Sequence, residues 1–389
     1  MRIILSVVFP ILLCLALLGS ANGQLPLSPE AASKAAAAFD ARASNSLQCW
    51  VERWDPALDF ALRFISGYLA HCPIAQFEGK KTTLGSYLRI TPEGGQPVFF
   101  GTADIVPEAP PEIRAAAGNL KYLKEELELS GVATLGEGKY FVELLITDDQ
   151  NRSFRKHWKL RVSRNRSQRG VALAIKPRTV ESVYERSWQT VSSQRGGTLR
   201  LTILLDAAPM NWYQSSLRAW DRAFLIESVY SLLRQTPHRA VRLVAFNLDQ
   251  QRELFRSDQF DSTAFQGLSQ ALNETELSTV SVKALKKRDS PEFLIALANQ
   301  ELAADRSDVI IFLGPNTRMD TQMTAGALPG KRKDGPPIFY FEYFPWVGSP
   351  FPDSIDWLVQ AVGGRVFKIH SPSELHNSIE AMLAQLKQR

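Results

Sequence analysis

The alternation of hydrophobic and polar residues changes character once along this chain, near residue 198. Before that point the dominant period is two. Large side chains recur at Leu58, Phe60, Leu62 and Phe64, with Asp59, Ala61 and Arg63 between them, which is the spacing of a strand with one buried face. Further strands are expected over residues 86–91, 97–101, 120–129, 140–147 and 153–162. Turn formers separate them: Pro92 to Gly95, the proline-rich stretch 106–111, Gly136 to Gly138, and Asp148 to Asn151. The last of these predicts the strongest hairpin, with Phe141, Leu144 and Ile146 set against Phe154, Trp158 and Leu160. Short strands, frequent turns and no long helix predict an antiparallel β-sandwich of immunoglobulin-like type over residues 46–164.

The polar run from Ser163 to Gly170 breaks this pattern, and residues 165–198 read as a linker with some order around Trp188. From 199 to 389 strands alternate with helices. Strands are expected at 199–205, 241–247, 308–313, 337–343 and 365–369, several of them continuous apolar runs suited to burial on both faces. Helices are expected at 215–235, 262–271, 291–304, 354–362 and 373–386, with Gly363 and Gly364 closing the fourth. Residues 253–256 supply a short antiparallel edge strand. Alternating βαβ units predict a doubly wound, mostly parallel α/β domain.

The start of the chain changes the compartment. Arg2, the apolar run Ile3 to Leu18 and the small residues before Gln24 read as a secretory signal peptide over 1–23, cleaved at Gly23-Gln24. About 16 apolar residues fall short of the ~20 that a spanning helix needs, and no later run is long enough, so no membrane span is expected after cleavage. The protein is therefore expected to be secreted or periplasmic. Residues 24–45, rich in Ala and Ser, predict a mobile or weakly helical leader. Cys49 and Cys72 survive cleavage, and an oxidising compartment makes them candidate disulfide partners, although spacing alone does not set the geometry a bond requires.

Charge and motif content narrow the function classes. The formal net charge of +5 becomes +4 once Arg2 is removed, and the basic clusters at 161–169, 283–288 and 331–333 fall in separate loops, so nucleic acid is not an expected partner. The five histidines show no metal-ligand spacing, and there is no G-x-S-x-G elbow, Walker loop or G-x-G-x-x-G. No cofactor is expected. Trp158, Trp188 and Trp220 are expected to fill cores or the domain junction, and Trp50 and Trp54 to be similar. Asn151, Asn165 and Asn273 open N-x-[ST] sequons, which carry weight only in a host that glycosylates them.

The most informative residue is Asp206, which ends the strand Leu201 to Leu205. Together with the strands 241–246 and 308–314, and with the closing order of helix, Gly363-Gly364, short strand and final helix, it makes residues 197–389 resemble the von Willebrand factor A domain family. The arrangement with a preceding β-rich segment is similar to the von Willebrand A-related secreted proteins of acidobacteria. The resemblance implies a Mg²⁺ adhesion site built on an Asp and two hydroxyls two and four residues later. Here those positions hold Ala208 and Met210, and Gly314-Pro315 stand where a second Asp would be. A metal-free site is therefore expected, because Mg²⁺ demands hard oxygen ligands in near-octahedral array.

Open α/β sheets bind ligands beyond the carboxyl ends of their strands. The residues expected there are Asp206, Met210, Asn211, Trp212 and Tyr213 from one loop and Asn316, Thr317 and Arg318 from another. Aromatic and Arg side chains are the types that anchor protein interfaces. The expected function is a non-enzymatic binding or adhesion module for an extracellular or envelope protein. Two alternatives stand beside it: a hydrolase using Asp206 with Asp320, Ser290 or His370, and an assembly scaffold acting through the β-sandwich.

Overall fold

The computed structural model describes residues 24–41, 46–77, 81–106, 108, 126–183, 197–210, 217–248, 250–273, 290–303, 307–316, 335–344 and 353–388. They fall into two compact units. One holds the chain up to Leu58, Arg63–Arg166 and Leu173–Glu185; the other holds Asp59–Leu62, Ser167–Ala172 and Arg186–Arg389. No helix among the described residues is long and apolar enough to cross a membrane.

The first unit contains β1 (Leu25–Pro26), α1 (Pro29–Asp40), β2 (Trp50–Leu58), β3 (Phe64–Pro73), β4 (Thr82–Pro92), β5 (Val98–Val106), β6 (Glu126–Leu135), β7 (Gly138–Asp148), β8 (Ser153–Val162) and β9 (Val180–Ser182). They form two antiparallel sheets, one ordered β1-β5-β4-β7-β8 and the other β2-β3-β6-β9. The expected hairpin is present, with Thr147 opposite Ser153 and Ile146 opposite Phe154. Tyr68 of β3 and Ser86 of β4 join the two sheets through a 2.5 Å hydroxyl contact. The Gln24 side-chain amide donates to the Tyr68 hydroxyl at 2.7 Å and to the Ser86 carbonyl at 3.2 Å. Burial pushes the Tyr68 hydroxyl well above the usual phenol range, so it stays neutral and serves as a hydrogen-bonding group.

Three expectations are corrected here. The alternation at 58–64 is not one strand: β2 ends at Leu58, β3 begins at Phe64, and the residues between form a turn with Leu62 at a φ of 61°. Their hydrophobicity serves packing in the second unit, where Phe60 meets Phe224 and Tyr343 edge-on at 4.6 and 5.4 Å. The stretch 24–45 contains an ordered helix. Ser28 caps α1, Pro29 occupies its first turn, and Arg155 holds the carbonyls of Phe39 and Ala38 at 2.6 and 2.5 Å. Arg89, paired with Glu143, stacks over the Phe39 ring at 4.7 Å, which fixes the helix to the five-stranded sheet. Finally, the expected linker 165–198 includes β9, which pairs with β6; Trp188 lies outside the described residues.

The second unit contains β10 (Leu199–Asp206), α2 (Ala219–Gln235), β11 (His238–Asn247), β12 (Arg252–Ser257), α3 (Ala264–Asn273), α4 (Ser290–Ala303), β13 (Val309–Pro315), β14 (Ile338–Tyr343), α5 (Ser354–Ala361), β15 (Arg365–Ile369) and α6 (Pro372–Lys387). Its six-stranded sheet runs β12-β11-β10-β13-β14-β15, parallel throughout except for the antiparallel edge strand β12. The strand alternation splits its apolar side chains between two cores. Leu201, Ile203, Leu205, Phe339 and Phe341 face α2, α3 and α6. Leu204, Phe246, Phe312 and Tyr340 face α4 and α5. At the sheet edge, Glu301 of α4 is 4 % exposed and accepts from Arg242 at 2.8 Å and Arg256 at 2.8 Å. These guanidinium contacts hold its carboxyl below the usual range despite burial.

Cys49 and Cys72 are joined in a disulfide that closes a 23-residue separation. Replacing both by serine is expected to lower the unfolding free energy by about 3 kcal/mol, the loop-closure value for this span. Urea unfolding of the oxidised protein and of the double variant measures it, and coincident midpoints would show that the bond contributes nothing.

Candidate functional site at the carboxyl ends of the parallel strands

Three adjacent strands end in a row on the face covered by α4 and α5. Leu205 pairs with Leu313 across β10 and β13, and Gly314 pairs with Glu342 across β13 and β14, so the row reads Asp206, Gly314, Glu342. Lys368 of β15 continues it as the partner of Glu342. With strands ~4.8 Å apart, the backbones bearing Asp206 and Glu342 stand about 10 Å from each other. Gly314 between them is required by packing. A Cβ there would lie 2.7 Å from the Asp206 Cβ and 3.0 Å from its carbonyl oxygen.

Asp206 is fully buried. The loop after it is held by backbone and amide contacts: Ala207 donates to the Phe246 carbonyl at 2.7 Å, and the Asn247 side chain donates to the Ala207 carbonyl at 2.8 Å. Met210 donates its N–H to Asp221 at 3.1 Å, and the same carboxylate caps α2 through the N–H of Arg218 at 2.8 Å. The Met210 side chain is 6 % exposed and belongs to the α2-side core, while Ala208 is 3 % exposed. Asp206 and Met210, expected on an open rim, are thus interior residues. The reason is the close run of the chain back toward α2, which turns the Met210 thioether inward. Asn316 is described: its N–H donates to the Tyr343 carbonyl at 3.0 Å and its side-chain amide donates to Glu342. Asn211, Trp212, Tyr213, Thr317, Arg318 and Asp320 lie outside the described residues.

Sequence reasoning missed Glu342, Tyr340 and Asp353. Tyr340 donates to Asp353 at 3.0 Å, and Asp353 caps α5 by accepting from the Asp356 N–H at 2.8 Å. Burial, reinforced by the charges of Asp353 and Asp356, pushes the Glu342 carboxyl up to about 8 in spite of the Asn316 amide and Lys368. Burial and the charges of Asp353, Glu342 and Asp206 hold the Tyr340 hydroxyl far above the phenol range. At neutral pH Glu342 therefore carries a proton. The signal for it was legible in part, since a lone Glu inside the run Ile338 to Tyr343 must be dehydrated if that strand is central.

The chemistry available here is limited by access. Among the described residues no group of three or more His, Cys, Asp or Glu is placed to hold a metal ion. The two positions that would complete an Asp206 site supply a methyl and a packed thioether, and Gly314 brings no ligand, so these residues do not fit a Mg²⁺ ion. Of the residues weighed for hydrolysis, Ser290 begins α4 and His370 follows β15, its ring nitrogen Nδ1 3.2 Å from the Phe344 carbonyl.

No protein-family profile matches the chain, and no curated protein matches it. Solved structures that match include a Bacteroides uniformis β-glucuronidase, at 10 % identity and a TM-score of 0.19, over 77 % of this chain and 36 % of that one. A glycosyl hydrolase family 2 member from Bacteroides cellulosilyticus matches at 11 % identity and a TM-score of 0.20, over 76 % of this chain and 40 % of that one. The chain spans well under half the length of these enzymes, and likeness at this level carries no argument about it.

Glu342→Gln keeps an acceptor for Asn316 and removes the titration. Because the folded carboxyl binds its proton more tightly than the unfolded one, wild-type stability falls as pH rises from about 4.5 to about 8. The variant is expected to match wild type near pH 4 and to be more stable at pH 8.5. The gain should be on the order of a few kcal/mol, since each tenfold change in proton affinity is worth about 1.4 kcal/mol. Urea unfolding at both pH values tests this, and equal stability at pH 8.5 would refute it.

Proposed function

We propose that the chain is a secreted or envelope-associated, non-enzymatic protein-binding module. In this reading an immunoglobulin-like β-sandwich precedes a von Willebrand factor A-like domain that recognises its partner without a metal ion. The strand order β12-β11-β10-β13-β14-β15, with one antiparallel edge, supports the von Willebrand A-like assignment. The observation that carries the functional reading is the filling of the ion's place. Asp206, Ala208 and Met210 are all interior, and Gly314 closes directly over the Asp206 carboxylate stem. In this reading recognition runs through side-chain contact without an ion. Trp212, Tyr213 and Arg318, in the sequence segments that follow β10 and β13, are of the residue types that anchor interfaces.

Burial also weighs against the hydrolase alternative. Asp206 and Glu342 are both 0 % exposed, and a general acid or nucleophile must come within hydrogen-bond reach of its substrate.

Two measurements test the proposal. The thermal midpoint of the mature protein is expected to be the same in EDTA and in millimolar Mg²⁺, Mn²⁺ or Ca²⁺; ligand at 100 times its dissociation constant would add about 2.7 kcal/mol and raise it by several degrees. A shift that vanishes in Asp206→Ala would restore metal-dependent adhesion. Cross-linked capture from envelope and medium fractions is expected to yield a discrete partner with wild type and none with the Trp212→Ala/Tyr213→Ala double variant. Equal capture by both would remove the rim from the mechanism.

A further inference from the structure

The outer face of the four-stranded sheet carries two indoles that the expectation of core packing misplaced. Trp50 and Trp54 are 45 % and 42 % exposed. Both lie on β2 and, four residues apart in a strand, share one face. Neither ring hangs free in solvent. Trp50 stacks on His71 of β3 with centroids 3.8 Å apart and planes within 7°. Its indole N–H donates to Glu126 at 3.0 Å. Trp54 lies over Gly67, its partner in β3, where an added Cβ would come within 3.2 Å of the Trp54 ring. The missing side chain leaves room for the Trp54 indole beside β3, and nearly half of each indole residue stays exposed.

Among the described residues of this face, the charged side chains are acidic. Alternation along β2, β3, β6 and β9 places positions 50, 52, 54, 65, 67, 69, 71, 126, 128, 130, 132, 134 and 181 on this face. None of them is Lys or Arg, whereas Glu52, Glu126 and Glu128 are exposed there. His71 is 8 % exposed, with its Nδ1 at 3.4 Å from Glu126 and 3.8 Å from Glu128. In a chain of formal net charge +5, an aromatic face whose described charged positions are all acidic is set apart from the average surface.

We propose that this face docks an extended, cationic polypeptide segment with Arg or Lys four residues apart. Open indole faces attract cations through the ring quadrupole, Arg above all, and neighbouring carboxylates reinforce the attraction. The spacing sets the register. Four residues of β2 span about 13–14 Å, the same as residues i and i+4 of an extended ligand, whose side chains also share one face. Cations three apart would point to opposite faces and could engage only one ring. The inference concerns the first unit and rests on no residue of the α/β rim.

Fluorescence anisotropy of the full mature protein with two labelled synthetic peptides tests it. One places two Arg four apart in a Gly/Ser background, and the other places them three apart. The expected result is binding of the first at least about fivefold tighter than the second, and weaker by about tenfold or more when salt rises from 50 to 500 mM. Trp54→Ala should cost about tenfold, and Glu128→Gln a measurable fraction of that. Glu128 side-chain exposure of 64 % makes that substitution safe for folding. The Trp212→Ala/Tyr213→Ala variant should bind the peptide as wild type does, which separates this outcome from any failure of the rim. Equal affinity for the two spacings, no loss in Trp54→Ala, or indole quenching by a neutral oligosaccharide without peptide binding would each overturn the proposal.

Discussion

Burial of the parallel sheet on both faces is the constraint from which the rest of the α/β unit follows. Its central strands β10, β13 and β14 present almost no surface to water, and each must end in a loop whose polar groups are satisfied from within. That requirement explains Asn247 and Asn316, which tie the loops after β11 and β13 to neighbouring backbone and carboxylate. It also explains why Glu342 keeps its proton. Burial strips the carboxylate of its hydration, the charges of Asp353 and Asp356 act on it through a medium that screens poorly, and protonation relieves both. Gly314 belongs to the same accommodation, since only a residue without Cβ passes Asp206 at that distance.

The first unit solves a related problem with neutral groups. Tyr68 and Ser86 are both fully buried, and each takes part in the other's hydrogen bonding while Gln24 closes the set. A buried hydroxyl left alone would cost on the order of 1–3 kcal/mol, so the contact between the sheets is specified by polarity as well as by apolar fit. The same segment leads through β1 into α1, which Arg155 and Arg89 hold by its last carbonyls and its Phe39 ring. A short apolar pair, Ala35 and Phe39, is therefore supplemented here by charge-assisted contacts at the helix end.

The legibility of these features in the sequence follows the strength of their periodic signals. The α/β half was readable in detail because continuous apolar runs such as Val309 to Leu313 admit one reading when they alternate with helical stretches; in the first unit β8 lies at Ser153–Val162 as expected. The period of two at 58–64 misled because Phe60 and Leu62 are apolar for packing against Phe224 and Tyr343, which periodicity alone cannot distinguish from strand burial. The leader misled for the opposite reason: the residues that order it, Arg89 and Arg155, stand 49 and 116 positions away from their partners Asp40 and Phe39. At the candidate site, Asp206 was legible from its place after a strand, whereas Glu342 and Asp353 gain their significance only when strand order brings β14 beside β13.

The exposed indoles sharpen the difference between a residue that is merely amphipathic and one that is kept on show. Trp220, 45 % exposed, lies at the start of α2 with its edge toward Phe224 at 6.5 Å, an ordinary partial burial for a large side chain on a helix. Trp50 and Trp54 are arranged otherwise. Each has a dedicated support beneath it, His71 in one case and a glycine in the other, and Trp50 has its only donor fixed by Glu126. Such supports remove the rotamer freedom that an exposed side chain would otherwise lose on binding, and thereby reduce the cost of association. Burial of the same indoles would have gained apolar area for the core. Their retention on an acidic face, already ordered, is what a surface prepared for a cationic occupant requires.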